Sequence, residues 1–459
     1  MAPSTDLERA YKALSGKRGG YDTLFDYYLG DQPLIYSAER LREVFQRLDS
    51  SFTQNWCGLV VDSVIERMNL KGLVVDAAHK AAHDELQAVW DANHIELDSD
   101  DAHTAALVTG ESFVIVWPDE TGATEVYYND PRLCHVFYDA AHPRRKAFAV
   151  KWWQRDDGKL SMTLYYPDRL ERYVSTTTTA NTTSANNFEA DPDAPVGPNP
   201  YGAVPVFHFR RSLQAVTSEL KSVLPLQDAV NKLLADMMVA AEFGAFRQRW
   251  IISNADNLGA LKNSPAEIWD LPSGDGVGQQ TQVGEFSATD LGNFLDSMDK
   301  LTNSIAVISR MPKHYFLSAG AGVSGEALLA MEAPLNGKAM KYQELFTPVW
   351  KEIAAFVLQL SGMSVEESEI TAVWDDVRTI QPWTEAQIRK VNVEAGMPLV
   401  TTLRREGWAE DELAQLEEDQ EAASGKQQAS LATALVDAQR RMDQGEGAGQ
   451  PGQMNEQVA

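Results

Sequence analysis

The stretch GAGVSGEALLAM, Gly320 to Met331, sets Gly320-x-Gly322-x-x-Gly325 directly before a run of good helix formers. In letters this is a dinucleotide-binding turn, and accepting it would make the chain a doubly wound nucleotide enzyme. Such a turn works only in context: a buried strand ends at the first glycine, a helix opens at the last, and an acidic residue stands about 20 positions on, at the end of the next strand. Here the preceding Lys313-His314-Tyr315-Phe316-Leu317 is too short and polar for that strand, and the chain after Gly325 reads as continuous helix with Glu344 inside it. Gly322-Val323-Ser324-Gly325 also imitates a nucleophile elbow, but the second glycine falls one place early and Glu326 stands where it belongs. The plainer reading is a glycine-rich loop whose Ser324 caps a helix starting near Glu326.

Working outward, Leu291, Leu295, Met298, Leu301, Ile305 and Ile308 recur at helical spacing before the loop. That helix is expected to close at Met311-Pro312, because the residue before proline is pushed out of the helical region. After the loop, Glu326 to Leu360 is a long helical tract in which Pro334 and Pro348 each remove a backbone donor and are expected to interrupt and kink it. Further upstream, Leu226, Val230, Leu233, Leu234, Met237, Met238 and Ala241 mark one face of another helix, about 20 residues or 30 Å long, ending near Phe243-Gly244. Between the two helices, FRQRWIISN to EIWDLPSGDGVGQQTQVGEF reads as a small β module punctuated by glycine. Shorter helices are expected over Thr384 to Ala395, Leu399 to Glu406 and Glu410 to Ala423, and the closing QGEGAGQPGQMNEQVA has nothing to bury.

The first part of the chain differs. Leu59, Val60, Val64 and Met68 mark a buried helical face, and Leu86, Val89 and Trp90 mark another. From Ser112 the pattern turns to strands: SFVIVW, TEVYY, AFAVKWWQ and LSMTLYY, the last two joined by RDDGK, whose Asp157-Gly158 is a strong hairpin signal. This part is α+β, with helices packed on antiparallel sheet. STTTTANTTSANN and the Pro-rich DPDAPVGPNP, within residues 175 to 200, read as an exposed and poorly ordered loop.

Composition bounds function. A chain of 459 residues with 44% hydrophobic and 23% charged residues has the make-up of a multidomain globular protein. A net charge of -26 argues against a protein that wraps nucleic acid in a basic surface, yet suits one that must let a polyanion slide past. Cys57 and Cys134 form no paired motif, which fits a reducing compartment. No apolar run approaches a membrane span or a secretion signal, so a soluble protein made in the cytosol is expected.

Other candidate sites reduce to simpler readings. His79 and His83 lack the glutamate of a His-Glu-x-x-His zinc site, and Asp98, Asp100 and Asp101 lack the glycine and terminal Glu of a calcium loop. Neither a metal nor a cofactor is expected, and no P-loop occurs. Trp250, Trp269 and Phe286 around Arg249 and Lys262 could stack on nucleic acid or, as suits an acidic chain, form the core or intersubunit contact of a small module. Arg310, Lys313 and His314 are few enough to touch phosphate without trapping it.

Taken in order, YDTLFDYYLGD, SELKSVLPLQDAVNKLLADMMVAAEFGAFRQRW, EIWDLP, LTNSIAVISRMPKHYF, GVSGEALLAMEAPLNGKAMKYQELFTPVW and TEAQIRKVNVEAGMPLVTTLRREGW resemble the portal proteins, or head-tail connectors, of tailed double-stranded-DNA bacteriophages of the siphophage type. The resemblance implies a portal fold: an α+β wing over 1–220, stem helices over 221–248 and 287–310, and a clip over 249–286 between them. It also implies a tunnel loop over 311–324, a long kinked helix over 325–362, a crown over 363–424 and a largely disordered tail over 425–459. It further implies a structural, non-catalytic virion protein, assembled in the host cytoplasm as a twelve-fold ring at the capsid vertex. Its expected partners are double-stranded DNA in the channel, the terminase large subunit, the major capsid and scaffolding proteins and a head-tail adaptor. On this mapping Lys313, His314, Tyr315, Ser318, Gly320, Gly322 and Ser324 line the tunnel loop, and Arg249, Trp250, Asn257, Lys262 and Trp269 present the clip to terminase or adaptor. The alternatives are a nucleotide-dependent enzyme using the glycine turn and another ring-forming phage adaptor or scaffold.

Overall fold

The computed structural model describes residues 5–32, 53–212, 215–245, 249–252, 282–286, 290–316, 324–377 and 382–405, with isolated positions beyond. The chain divides into two compact units, Met1–Arg378 and Thr379–Ala459.

In the first unit, helix α1 (Thr5–Leu29) buries Leu7, Ala10 and Leu14, spaced three and four apart, against a six-stranded antiparallel sheet. That sheet runs β4 (Cys134–Tyr138), β5 (Lys146–Gln154), β6 (Lys159–Tyr165), β7 (Arg169–Thr178) and β8 (Phe188–Ala190), with β9 (Val196–Pro198) also on β7. The β5–β6 turn holds Gly158 at φ +77, the left-handed conformation that the Asp-Gly signal requires. A second sheet places β10 (Val206–Arg210) beside β2 (Glu111–Pro118), which pairs with β3 (Thr124–Asn129). Gly110, just before β2, has φ +96, and a Cβ there would sit 2.6 Å from the Thr217 backbone, so only glycine fits.

The largest core lies under helices α2 (Trp56–Ile65), α3 (Lys80–Ala92) and α4 (Ile95–Thr109). Strands β1 (Leu70–Val75) and β13 (Ile370–Trp374) pair antiparallel across this layer and close the unit on itself. Asn55 caps α2 by accepting from the Gly58 N–H at 3.1 Å. Helices α5 (Leu224–Ala245) and α6 (Gly292–Ser309) pack side by side. Between them in sequence, β11 (Arg249–Ile252) pairs antiparallel with β12 (Gln282–Glu285). Both cysteines are free, and burial pushes each thiol up to about 12.

Three expectations change. Residues 175–200 are built into the six-stranded sheet instead of forming a poorly ordered loop. The β-branched threonines extend β7 to Thr178, and a Ser184–Asn187 capping box turns the chain into β8, whose Phe188 is buried against the α1 side. Asn199 then ties the segment down by donating to the Tyr166 and Ala203 carbonyls at 2.7 and 2.8 Å. The prolines do not interrupt the long helix: α7 runs unbroken from Gly325 to Leu360. Its buried face, Leu335, Ala339, Tyr342, Phe346, Trp350, Ile353 and Val357, begins immediately after Pro334 and continues past Pro348. Each such large side chain removed from water contributes on the order of 1.5–3 kcal/mol, comparable to the roughly 3 kcal/mol cost of an internal proline, and several of them outweigh two prolines. On α6 the buried residues are Met298, Thr302, Ile305, Ala306 and Ser309, whereas Leu295 and Ile308, expected on that face, are exposed together with Val307.

In the second unit, α8 (Pro382–Glu394) ends at Gly396, φ +95, where the Met397 N–H reaches the Asn392 carbonyl at 3.0 Å, and α9 (Leu399–Arg405) comes next. These match the helices expected from Thr384 and Leu399. The expected helix over 410–423 and the tail fall almost wholly outside the described residues.

Candidate functional site

The loop that decided the sequence reading enters from the end of α6. Arg310 takes the left-handed conformation, φ 60 and ψ 31, and the Met311 N–H closes back on the Ala306 carbonyl at 2.8 Å. Pro312 then starts a single 3-10 turn, Lys313–Tyr315. Lys313–Tyr315, which fall where a dinucleotide turn requires a strand, thus form a 3-10 turn instead. On the far side Ser324 accepts from the Ala327 N–H at 3.2 Å and caps α7 as expected.

The base of the loop is pinned by groups distant in sequence. Arg67, just past α2, donates to the Tyr315 hydroxyl at 2.7 Å and to Asn336 Oδ1 at 2.9 Å, and its guanidinium lies 3.5 Å from Glu332 on α7. Glu332 also accepts from the Tyr315 hydroxyl at 3.4 Å and lies 4.0 Å from His314 Nε2. Burial raises the Tyr315 hydroxyl above its ordinary value, so it stays a donor near neutrality. Phe316 packs on Trp56 with ring centroids 5.1 Å apart. Of the residues expected to face the channel, His314 and Tyr315 are therefore partly buried anchors, and Lys313 is exposed. Ser318, Gly320 and Gly322 lie outside the described residues.

A second cluster lies one turn deeper. Lys338 on α7 is buried, donates to the Ser309 carbonyl at the end of α6 at 2.9 Å, and is paired with Glu219, which lies in the short 3-10 helix just before α5. A cation at a helix C-terminus also meets the negative end of its macrodipole. Glu219 further accepts from Arg211 Nε at 2.8 Å and from the Tyr342 hydroxyl at 2.6 Å. Burial alone would raise the Glu219 carboxyl, but Lys338 and Arg211 hold it below the usual carboxylate range. Burial also lowers Lys338 from its ordinary value despite Glu219. The cluster joins the start of α5, the end of α6 and the buried part of α7. No local motif announced these residues, because Lys338 meets Glu219 across more than a hundred positions of chain.

At the other end of the helix pair, Trp250 lies opposite Gly284, and a Cβ on that glycine would come within 2.4 Å of the indole ring. The glycine therefore makes room for the ring across the strand pair. Arg249 faces Glu285 in the register, while Asn257, Lys262 and Trp269 lie outside the described residues. His79, considered as a ligand, instead sits 3.3 Å from Glu369. Among the described residues no group of three or more His, Cys, Asp or Glu is placed to hold a metal ion, and no helix is long and apolar enough to cross a membrane.

Residues 13–426 match the family described as phage portal protein, SPP1 Gp6-like. The portal protein of Mycobacterium phage L5 is 25% identical over 349 residues, covering 70% of this chain and 68% of its own length. The portal protein of Mycobacterium phage D29 is 24% identical over the same shares.

Proposed function

The chain belongs to the SPP1 Gp6-like family of phage portal proteins, structural proteins of the virion that form the channel for DNA packaging and ejection at the capsid vertex, and from that premise we propose how this protomer serves as one stave of the channel wall. Twelve copies form the ring, with α5 and α6 as the stem and the β11–β12 pair as the root of the clip. Residues 311–324 are the tunnel loop, and the α+β part of the first unit is the wing. The observation that supports this most is the double fastening of α6 to α7. Arg67, Glu332 and Tyr315 fix the loop's base, and Lys338 fixes the helix end that feeds it. A loop so held can project toward passing DNA while its base stays in register with the ring.

The exposed Leu295, Val307 and Ile308 of α6 suit burial against the neighbouring copy's stem. Terminase and head-tail adaptor dock at the clip, and capsid and scaffolding proteins meet the wing. The strongly acidic ring discourages phosphate adhesion, since each copy carries a charge of -26. Lys313 is the exposed cation among the loop's described residues, and it touches the DNA backbone loosely and without sequence readout. Lys313→Glu phage are expected to package DNA but to lose more of it on storage than the parent, measured as DNase-sensitive genome release. Normal packaging together with normal retention would remove Lys313 from the DNA path.

A further inference from the structure

The first unit carries a groove between the β4–β5 turn and the second half of α7. At about 1110 Å³ it has room for several side chains of a peptide. Phe207 and Phe356 are buried beneath it, and Leu345, Val349, Met363 and Val365 line it as half-buried apolar residues.

Its charges invert the sign of the whole molecule. Arg144 and Arg145 stand exposed on the turn, and among the described residues neither has an ion pair. Arg210 lays its guanidinium over Tyr138 at 4.6 Å, and its buried Nε has no hydrogen-bond partner there. Lys146 is paired with Glu352 at 2.6 Å, and the exposed Glu344 pairs with the exposed Lys341 at 2.8 Å. His142 of the same turn faces Asp139 at 3.5 Å. That leaves three arginines on one rim and Glu367 as the carboxylate on the other.

We propose that this groove is a docking site for an acidic, amphipathic peptide segment of another protein, its carboxylates on Arg144, Arg145 and Arg210 and its apolar face on Val349 and Val365. A phosphate backbone would satisfy the arginines but offers nothing to the apolar floor, whereas a neutral peptide would leave the arginines unmatched. Glu367 sets the orientation, because it repels an acidic edge and turns the carboxylates toward the β4–β5 turn. The inference goes beyond the channel reading and does not depend on it.

The test uses the full chain and fluorescence anisotropy of a synthetic helical peptide carrying Leu on one face and Glu on the other. Saturable binding is expected, weakened about tenfold or more both by Arg144→Glu with Arg145→Glu, on an exposed turn that should not disturb folding, and by Val365→Glu in the floor. A Lys-for-Glu version of the peptide should not bind. Unchanged affinity in either variant, equal binding of the Lys peptide, or competition by duplex DNA of equal charge would overturn the proposal. So would binding to the protomer that disappears in the assembled ring, since the neighbouring copy would then be the occupant.

Discussion

At the scale of single residues, two buried histidines tie stability to pH. The indole N–H of Trp350 donates to His103 Nε2 at 2.9 Å, which puts the His103 proton on Nδ1, and burial pushes its pKa down to about 3. Burial likewise pushes His208 down to about 4 despite Glu111, whose carboxylate lies 3.0 Å from His208 Nε2 while Tyr138 lies 3.1 Å from Nδ1. Burial would raise Glu111, but His135, His208 and Lys17 outweigh it and hold the carboxyl well below its usual range. In the unfolded chain a histidine titrates near 6.5. Below that value the unfolded state takes up protons that the folded state refuses, so stability is complete above about pH 6.5 and falls as pH drops toward the folded values. For His103 this amounts to about 2 kcal/mol between pH 7 and pH 5. Urea midpoints of the parent and His103→Phe are therefore expected to converge as pH is lowered over that interval, and parallel pH dependences would contradict this. The sequence hid these roles: no local motif marks His103, and its partner Trp350 lies 247 positions away.

At the scale of elements, hydrophobic period was the most legible signal. The helices α5, α6 and α7, the Asp157-Gly158 hairpin and the Ser324 cap could all be read from spacing and local chemistry. The polar threonine and asparagine run over 175–187 misled, because composition alone does not reveal that an existing sheet offers it an edge. The exposed side of α6 misled for a related reason: apolar residues that the protomer leaves in water repeat at the same spacing as those it buries. The strand pair β11–β12 yields a direct test of the proposed clip. Ile252 and Gln282 face each other in register, so residues 253–281 can be replaced by Asn-Gly, a favoured two-residue hairpin loop. This variant is expected to assemble like the parent but to fail in pull-down of the terminase large subunit. Undiminished terminase binding would contradict the proposal that terminase docks at the clip.

At the scale of the whole molecule, composition had already narrowed the possibilities: an acidic chain without a P-loop suits a passive conduit better than a motor or a nucleic-acid wrap. The order of motifs along the chain carried the family resemblance. The ion pairs of Arg67 with Glu332 and Lys338 with Glu219 emerged only in three dimensions. Both join the α+β part of the first unit to α7, so a load on the loop would pass to the core instead of to α6 alone. All of this rests on copies of the protomer closing into a ring around a DNA path, which electron-microscope images of the purified full-length chain would show or refute. Ring-shaped particles with an axial hole wide enough for duplex DNA are expected, and a uniform population of compact dimers without a hole would contradict the channel.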